Sequence, residues 1–375
     1  MHVHKIQAKS LIRRHRKIDS WFISKYGMNL YQGCGHNCAY CDGRDEKYGV
    51  NGIFGNDVSV KINAIELLKQ EMNLKRRQKF YQNGFIMVGG GVGDSYQPIE
   101  EKYELTRKTL SFLESVCLPV HILTKSTLVE RDIDLLKQID EQSKALVSFS
   151  FSSTNDKISK IFEPGVPSPS DRLRTIKKLK RNGFSCGMYL LPVIPFITDT
   201  EHIMRKTIKD AYEAGVDYII CGGMTLKSGK QKEYFYHVLK KNYPDFLPNY
   251  EIIYTDDKWG NATKEYYQSI DQTFQTIMKQ YSIPKRIPPV LFKDIILEND
   301  VVVIILDQLH YLVGLQGKKS PYGFAAYNIS KLNQNISTMK NKLQTIKGVG
   351  RVTERIILEI LETGTSTYYE KILKK

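Results

Sequence analysis

Cys34, Cys38 and Cys41 fall within eight residues, in the segment NLYQGCGHNCAYCDGR, and their C-x3-C-x2-C spacing is that of a metal site. Three thiolates on one short loop can hold three irons of a cubane cluster and leave the fourth iron without a protein ligand, whereas four-cysteine arrays close the cluster for electron transfer. The competing possibility is a Cys3His zinc site completed by His36, although the short loop between Cys34 and Cys38 makes simultaneous ligation by His36 awkward. Six cysteines in 375 residues are too few for a secreted disulfide scaffold, and a tight group of three in a reducing compartment points to metal. Cys117, Cys186 and Cys221 stand alone in apolar settings and are expected to be buried structural thiols.

A loop of this kind needs a frame, and the flanking pattern supplies one. Short apolar runs at 85–90, 120–125, 145–151, 186–194 and 218–223 alternate with amphipathic stretches such as KYELTRKTLSFLES, VERDIDLLKQIDE and PSDRLRTIKKLKRNG. Strand–helix alternation predicts a parallel sheet with crossover helices, here an α/β fold forming a partial (β/α) TIM-like barrel whose ligands gather at the carboxyl ends of the strands. The expected division is a basic amino-terminal extension (1–28), the barrel (29–230), a helical connecting region (231–293) and an all-α module (294–375). Pro284, Pro288 and Pro289 mark a linker within the connecting region.

An iron left open suits S-adenosylmethionine (SAM), whose amino and carboxylate groups can chelate it. The cysteine spacing resembles that of the radical SAM superfamily. The stretches NLYQGCGHNCAYC, GDSYQPIEEKYELTR, ILTKSTLVERDIDLL, IFEPGVPSPSDRL and LPVIPFITD, spread over roughly 19–230, further resemble the photolyase-like subgroup around spore photoproduct lyase. The resemblance implies a [4Fe–4S] cluster on Cys34, Cys38 and Cys41, SAM as co-substrate, a 5′-deoxyadenosyl radical and an external reductant such as flavodoxin or ferredoxin. It also implies that Tyr40 packs beside the cluster and the adenine, and that Gly89, Gly90 and Gly91 receive the SAM amino group on exposed backbone. Lys125 is implied to pair with the SAM carboxylate and Ser150 to reach SAM oxygens; Asp94, Tyr96 and Gln97 are expected on a loop over the barrel mouth, as a turn or as substrate contacts. Two departures bear on the substrate. No additional cysteine stands soon after the cluster to return a hydrogen atom, and Asp42 follows the third cysteine where the resemblance implies an aromatic residue.

In the carboxyl-terminal segment LQTIKGVGRVTERIILEILETG, Gly348 and Gly350 precede an amphipathic helix, an arrangement whose exposed amides suit a backbone phosphate. Residues 294–375 resemble the amino-terminal helix-hairpin-helix domain of family X DNA polymerases, which implies DNA binding with Lys347, Arg351 and Arg355 as phosphate contacts. The lyase lysine of some of those polymerases has no counterpart, because Ile356 stands at its position and cannot form an imine. Glu354 replaces a residue that is usually small.

Lysine and arginine exceed aspartate and glutamate by 55 to 40, a net charge of +15 that suits a polyanionic partner. The basic cluster Arg13, Arg14, Arg16 and Lys17 could add to that surface; the alternative is a solvated helix or arm. The amino terminus has no signal-like apolar core and no apolar run reaches membrane length, so a cytoplasmic protein with no membrane partner is expected. The leading expectation is a radical SAM enzyme acting on damaged or modified DNA, in the manner of a DNA repair lyase. The alternatives are radical chemistry on RNA or protein, and a DNA-binding protein with a structural or redox-sensing cluster.

Overall fold

The structure, a computed structural model, describes residues 1–72, 84–89, 92–255 and 257–374. Its strands are β1 (His2–Ile6), β2 (Ile12–Asp19), β3 (Ser24–Met28), β4 (Tyr31–Gln32), β5 (Asp57–Lys61), β6 (Phe85–Val88), β7 (Val120–Thr124), β8 (Ala145–Phe151), β9 (Ser185–Val193) and β10 (Tyr218–Gly223). β1, β5 and β4 form a small sheet, in that order, and the rest form an open seven-stranded sheet ordered β10-β9-β8-β7-β6-β3-β2. Every neighbouring pair in the large sheet is parallel except β2 with β3.

The two faces of this sheet explain the near-continuous apolar runs, because a strand buried on both sides has no polar face to show. One set of side chains, including Val88, Ile122, Val147 and Met188, packs on Leu110, Leu136, Ile176 and Met204 of the crossover helices. These helices are punctuated as their sequences require. The Pro169–Arg181 helix starts with Ser168 accepting from the Asp171 amide and Pro169 in the first turn, and the Glu201–Ala214 helix ends on Gly215 in the left-handed conformation. The opposite set, Phe85, Leu146, Tyr189 and Tyr218, packs against the carboxyl-terminal helices. The central one, Glu298–Leu315, is apolar around most of its circumference and is accordingly buried there. Among the described residues, no helix is long and apolar enough to cross a membrane.

Three sequence expectations change. Within residues 1–28, set apart as a basic extension, 12–19 and 24–28 are strands of the main sheet. Arg13, Arg14 and Arg16 are exposed along β2, while Lys17 pairs with Asp307 of the Glu298–Leu315 helix. The proline-marked linker is packed in place: the Pro284 carbonyl accepts from the Ile219 amide at the free edge of β10, and Lys285, Arg286 and Ile287 are buried. Cys117 is exposed rather than buried, because it takes a positive φ of 54° in the turn after the Leu105–Ser115 helix, where its thiol lies 3.1 Å from the Gln142 side-chain oxygen.

A buried polar chain crosses the inner face. His121 Nδ1 donates to the Phe22 carbonyl at 2.7 Å and Nε2 accepts from Ser148 Oγ at 2.7 Å, while Tyr218 donates to Ser148 at 2.6 Å. Burial pushes the His121 imidazole down to about 4. The unfolded chain therefore binds the extra proton first, and stability falls as the pH drops below the ordinary histidine value. Acidification from pH 7 to pH 5 should cost the wild type about 2 kcal/mol more than it costs His121→Gln, read from urea unfolding at the two pH values. Equal losses in the two proteins would remove His121 as the cause.

Candidate active site

The cysteine loop leaves β4 and is tied down on several sides. The Gln97 side chain accepts from the Gly35 amide at 2.8 Å and donates to the Gly33 carbonyl at 3.1 Å. Arg44 donates to the Cys38 carbonyl at 3.1 Å and to the Asn37 side-chain oxygen at 2.6 Å, with its guanidinium 3.4 Å from the Tyr234 ring centroid and 4.9 Å from that of Phe54. Asp42 accepts from Thr225, Lys227 and Gln231 at 2.6–3.0 Å, which binds the loop to the segment after β10. On the other side the Ala39 amide donates to Phe162 and the Gly165 amide to His36. A Cβ on Gly165 would collide with the Gly35 carbonyl, so glycine is required for this approach.

Held in this way, Cys34, Cys38 and Cys41 line one cavity of about 100 Å3 together with His36, Asp94, Lys125 and Ser150. The cavity lies at the carboxyl ends of β7 and β8, where an α/β sheet places its ligands. Burial pushes all three thiols up, and for Cys34 the neighbouring Asp94 and the other two cysteines add to it. Such thiols stay protonated until a cation offsets the charge of the thiolates, as iron does on binding. Three sulfur donors around one cavity, with no fourth cysteine lining it, fit a cubane cluster with one open iron. His36 Nδ1 is buried 3.4 Å from the Asp94 carboxylate without a hydrogen-bond partner.

Behind the cavity lies a charged cluster that sequence reasoning missed. Glu163, fully buried, accepts from the Tyr40 hydroxyl, from Lys125 at 3.1 Å, from Arg172 at 2.7 Å and from Ser159 at 2.9 Å. Burial alone would raise the Glu163 carboxyl, yet Lys125 and Arg172 hold it well below the usual carboxylate range. Lys125 also donates to Ser150 Oγ at 2.8 Å and stands 5.4 Å from the Tyr40 ring centroid, so Tyr40, Lys125 and Ser150 converge. The signal was present in IFEPGVPSPSDRL, where a glutamate and an arginine flank a proline-rich turn, but a charge beside Pro-Gly reads as solvated loop.

GDSYQPIE is a brace. Asp94 accepts from the Thr124 hydroxyl at 2.8 Å and the Lys125 amide at 2.7 Å, which fixes the end of β7, and Tyr96 donates to the buried Asp132 at 3.1 Å. Gly89 has φ +81°, and a Cβ there would come within 2.6 Å of Ser95 Oγ. Gly90 and Gly91 lie outside the described residues.

At the far end of the chain, Gly348 adopts φ +90° against Phe324 and Ala325, and Gly350 opens the Arg351–Thr363 helix in an extended conformation. Lys347, Gly350 and Arg351 are exposed together on this turn. Arg355 stands a turn further on, in a groove shared with Glu359 and Tyr368. Ile356 is buried in the helical core, and Glu354 accepts from Gln344 at 2.5 Å, which ties the turn to the preceding segment.

Residues 28–208 match the model of the radical SAM superfamily. An uncharacterized protein of Methanocaldococcus jannaschii is 32% identical over 258 residues, 68% of this chain and 87% of its own length. The chain belongs to the radical SAM superfamily. Its cofactors are therefore a [4Fe–4S] cluster and S-adenosylmethionine. A radical SAM Nα-GlyT isomerase of Pseudomonas phage M6 is 25% identical over 177 residues, 46% of this chain and 34% of its own. Among solved structures, spore photoproduct lyase complexed with dinucleoside spore photoproduct superposes with a TM-score of 0.54 at 17% identity, covering 74% of this chain and 79% of that one. At that identity the likeness is one of fold. The superfamily match also encloses the cysteine loop, Lys125, Ser150 and Glu163.

Proposed function

We propose that this enzyme cleaves SAM reductively and uses the resulting radical on a nucleic-acid substrate, a damaged or modified DNA. The observation that carries the proposal is the single cavity in which three thiols meet Lys125 and Ser150. When bound there, the cluster supplies the electron that breaks a carbon–sulfur bond of SAM to give a 5′-deoxyadenosyl radical. The protein's part is to hold and orient. Cys34, Cys38 and Cys41 would carry the iron, and Lys125, fixed by Ser150 and Glu163, would meet the SAM carboxylate. Tyr40, buried behind it, keeps that lysine in place and water out. A reductant such as flavodoxin or ferredoxin would deliver the electron.

The nucleic-acid half of the proposal is supported by the +15 net charge, by the exposed basic turn at Lys347–Arg351 and by the likeness in fold to spore photoproduct lyase. Anaerobic turnover of intact protein with dithionite, SAM and deuterated oligonucleotides, damaged or undamaged, tests both halves. Mass spectrometry should find 5′-deoxyadenosine carrying deuterium taken from a nucleotide; absence of 5′-deoxyadenosine would end the enzymatic reading.

The exposed turn makes a separate prediction. Gly350 has open space around it, so Gly350→Glu adds a repelling charge without a clash. Combined with Arg351→Ala it should weaken binding of duplex DNA by about tenfold at low salt and flatten the salt dependence by about one unit of slope. Fluorescence anisotropy over a range of salt measures both, and an unchanged slope would show that the DNA lies elsewhere.

A further inference from the structure

Across Leu191 from the cysteine cavity lies a second, larger cavity of about 410 Å3. The Leu191 carbonyl accepts from Ser150 Oγ at 2.8 Å, so a residue of the first cavity is bonded to a residue lining the second. The walls come from distant parts of the chain. Trp21 stands in the turn between β2 and β3, Tyr267 and Asp271 on the Lys264–Met278 helix, and Tyr311 on the Glu298–Leu315 helix. Gly222, at the end of β10, leaves the space open: a Cβ there would stand 2.7 Å from Leu191 and 3.8 Å from the Trp21 ring.

Two of the aromatic walls are set before any ligand arrives. The Trp21 and Tyr311 rings meet edge to face, centroids 5.2 Å apart, and the buried guanidinium of Arg286 lies 4.6 Å and 4.4 Å from their respective centroids. A cation serving two rings fixes both orientations, which lowers the entropy lost when a flat group packs into the corner they form. Burial raises the Asp271 carboxyl above its ordinary value. Its side chain accepts from Gln275 at 3.1 Å and lines the cavity, where it can accept from the amino edge of a heterocycle. Enzymes that act on a base draw it out of the stack into a pocket that combines stacking with edge-directed hydrogen bonds.

We propose that this cavity receives the extruded nucleobase of the substrate, its face on Tyr311, the nearly perpendicular Trp21 ring against its rim and its edge toward Asp271. The assignment rests on the nucleic-acid reading above and gives the carboxyl-terminal helices a part in the reaction chamber, since Tyr311 belongs to them. Trp21 and Trp259 are the two tryptophans of the chain, and Trp259 is exposed, so Trp259→Phe leaves Trp21 as sole reporter.

The experiment uses full-length, cluster-loaded protein carrying Trp259→Phe. It is titrated without oxygen by a single-stranded tetranucleotide bearing all four bases and, separately, by SAM alone. The tetranucleotide should quench Trp21 saturably. Tyr311→Ala should weaken that binding on the order of tenfold and Tyr311→Phe should keep it. If Tyr311→Ala does not fold, Leu315→Phe, which narrows the cavity from the same helix, should have the same effect. Absent quenching, quenching by SAM alone, or affinity indifferent to the variants would overturn the assignment. The same samples are assayed for 5′-deoxyadenosine with dithionite and SAM. Product without quenching removes the base cavity and leaves the enzyme, whereas quenching without product keeps the cavity and removes the radical chemistry.

Discussion

Alanine at Cys38 is expected to give a folded protein that holds no intact [4Fe–4S] cluster and releases no detectable 5′-deoxyadenosine. Cys38 is only 6% exposed and lines the cavity with Cys34 and Cys41. The fold should survive because the loop is anchored through backbone groups: Arg44 reaches the Cys38 carbonyl, and the Ala39 amide reaches Phe162. Removing one sulfur therefore leaves the scaffold and takes away a third of the iron's protein ligands. Iron and sulfide analysis after anaerobic reconstitution, with visible absorption and product assay, should show the loss. Cys117→Ala, at an exposed thiol remote from the cavity, should change neither iron content nor product. A Cys38→Ala protein with full iron and full product would mean that the cluster sits elsewhere.

The second large effect is expected at Glu163. This carboxylate lies between Lys125 and Arg172; it and Arg172 are fully buried, and the Lys125 side chain is 14% exposed. Glu163→Ala strands two cations and the Tyr40 hydroxyl in an interior that solvates none of them. Breaking a buried pair by removing one partner typically costs 3–5 kcal/mol, so unfolding in urea should be easier by about that amount. Glu163→Gln keeps the shape and the hydrogen-bond acceptor but loses the charge, and should be less destabilising. In both variants Lys125 loses its anchor, so SAM affinity, measured by anaerobic titration of the loaded protein, should fall even where the fold persists. Unaltered stability in Glu163→Ala would show that water or another anion replaces the carboxylate.

How much of this was legible depended on which residues announce themselves by type. Three cysteines at fixed spacing need no partner to be noticed, and apolar runs such as ALVSFSF become β8 because both of their faces are covered. The strand IRRHRKID was missed for the opposite reason. β2 is the sheet's last strand, paired only with β3, and its arginines point to water, so its sequence shows charge where periodicity looks for apolar side chains. Glu163 and Arg172 escaped because their meaning lies in a meeting between two helices, nine residues apart along the chain. Gln97 is similar. An amide holding two glycines of the cysteine loop has no local signature, since its partners are 62 and 64 residues away. Ile356 is buried in the helical core, where a lysine would be unwelcome.

The Glu298–Leu315 helix lies on the sheet as a keel lies under a hull. A chain shortened to end at Pro288 would present Phe85, Leu146, Tyr189 and Tyr218 to water, and should clump rather than behave as a smaller working enzyme. Grafting the helical end onto another protein would meet the same obstacle from the other side, since its central rod has few water-loving faces of its own. Heat should therefore melt sheet and rod together. Any tilt imposed on the outer helices by a bound partner would pass directly to the strands beneath the cysteine loop.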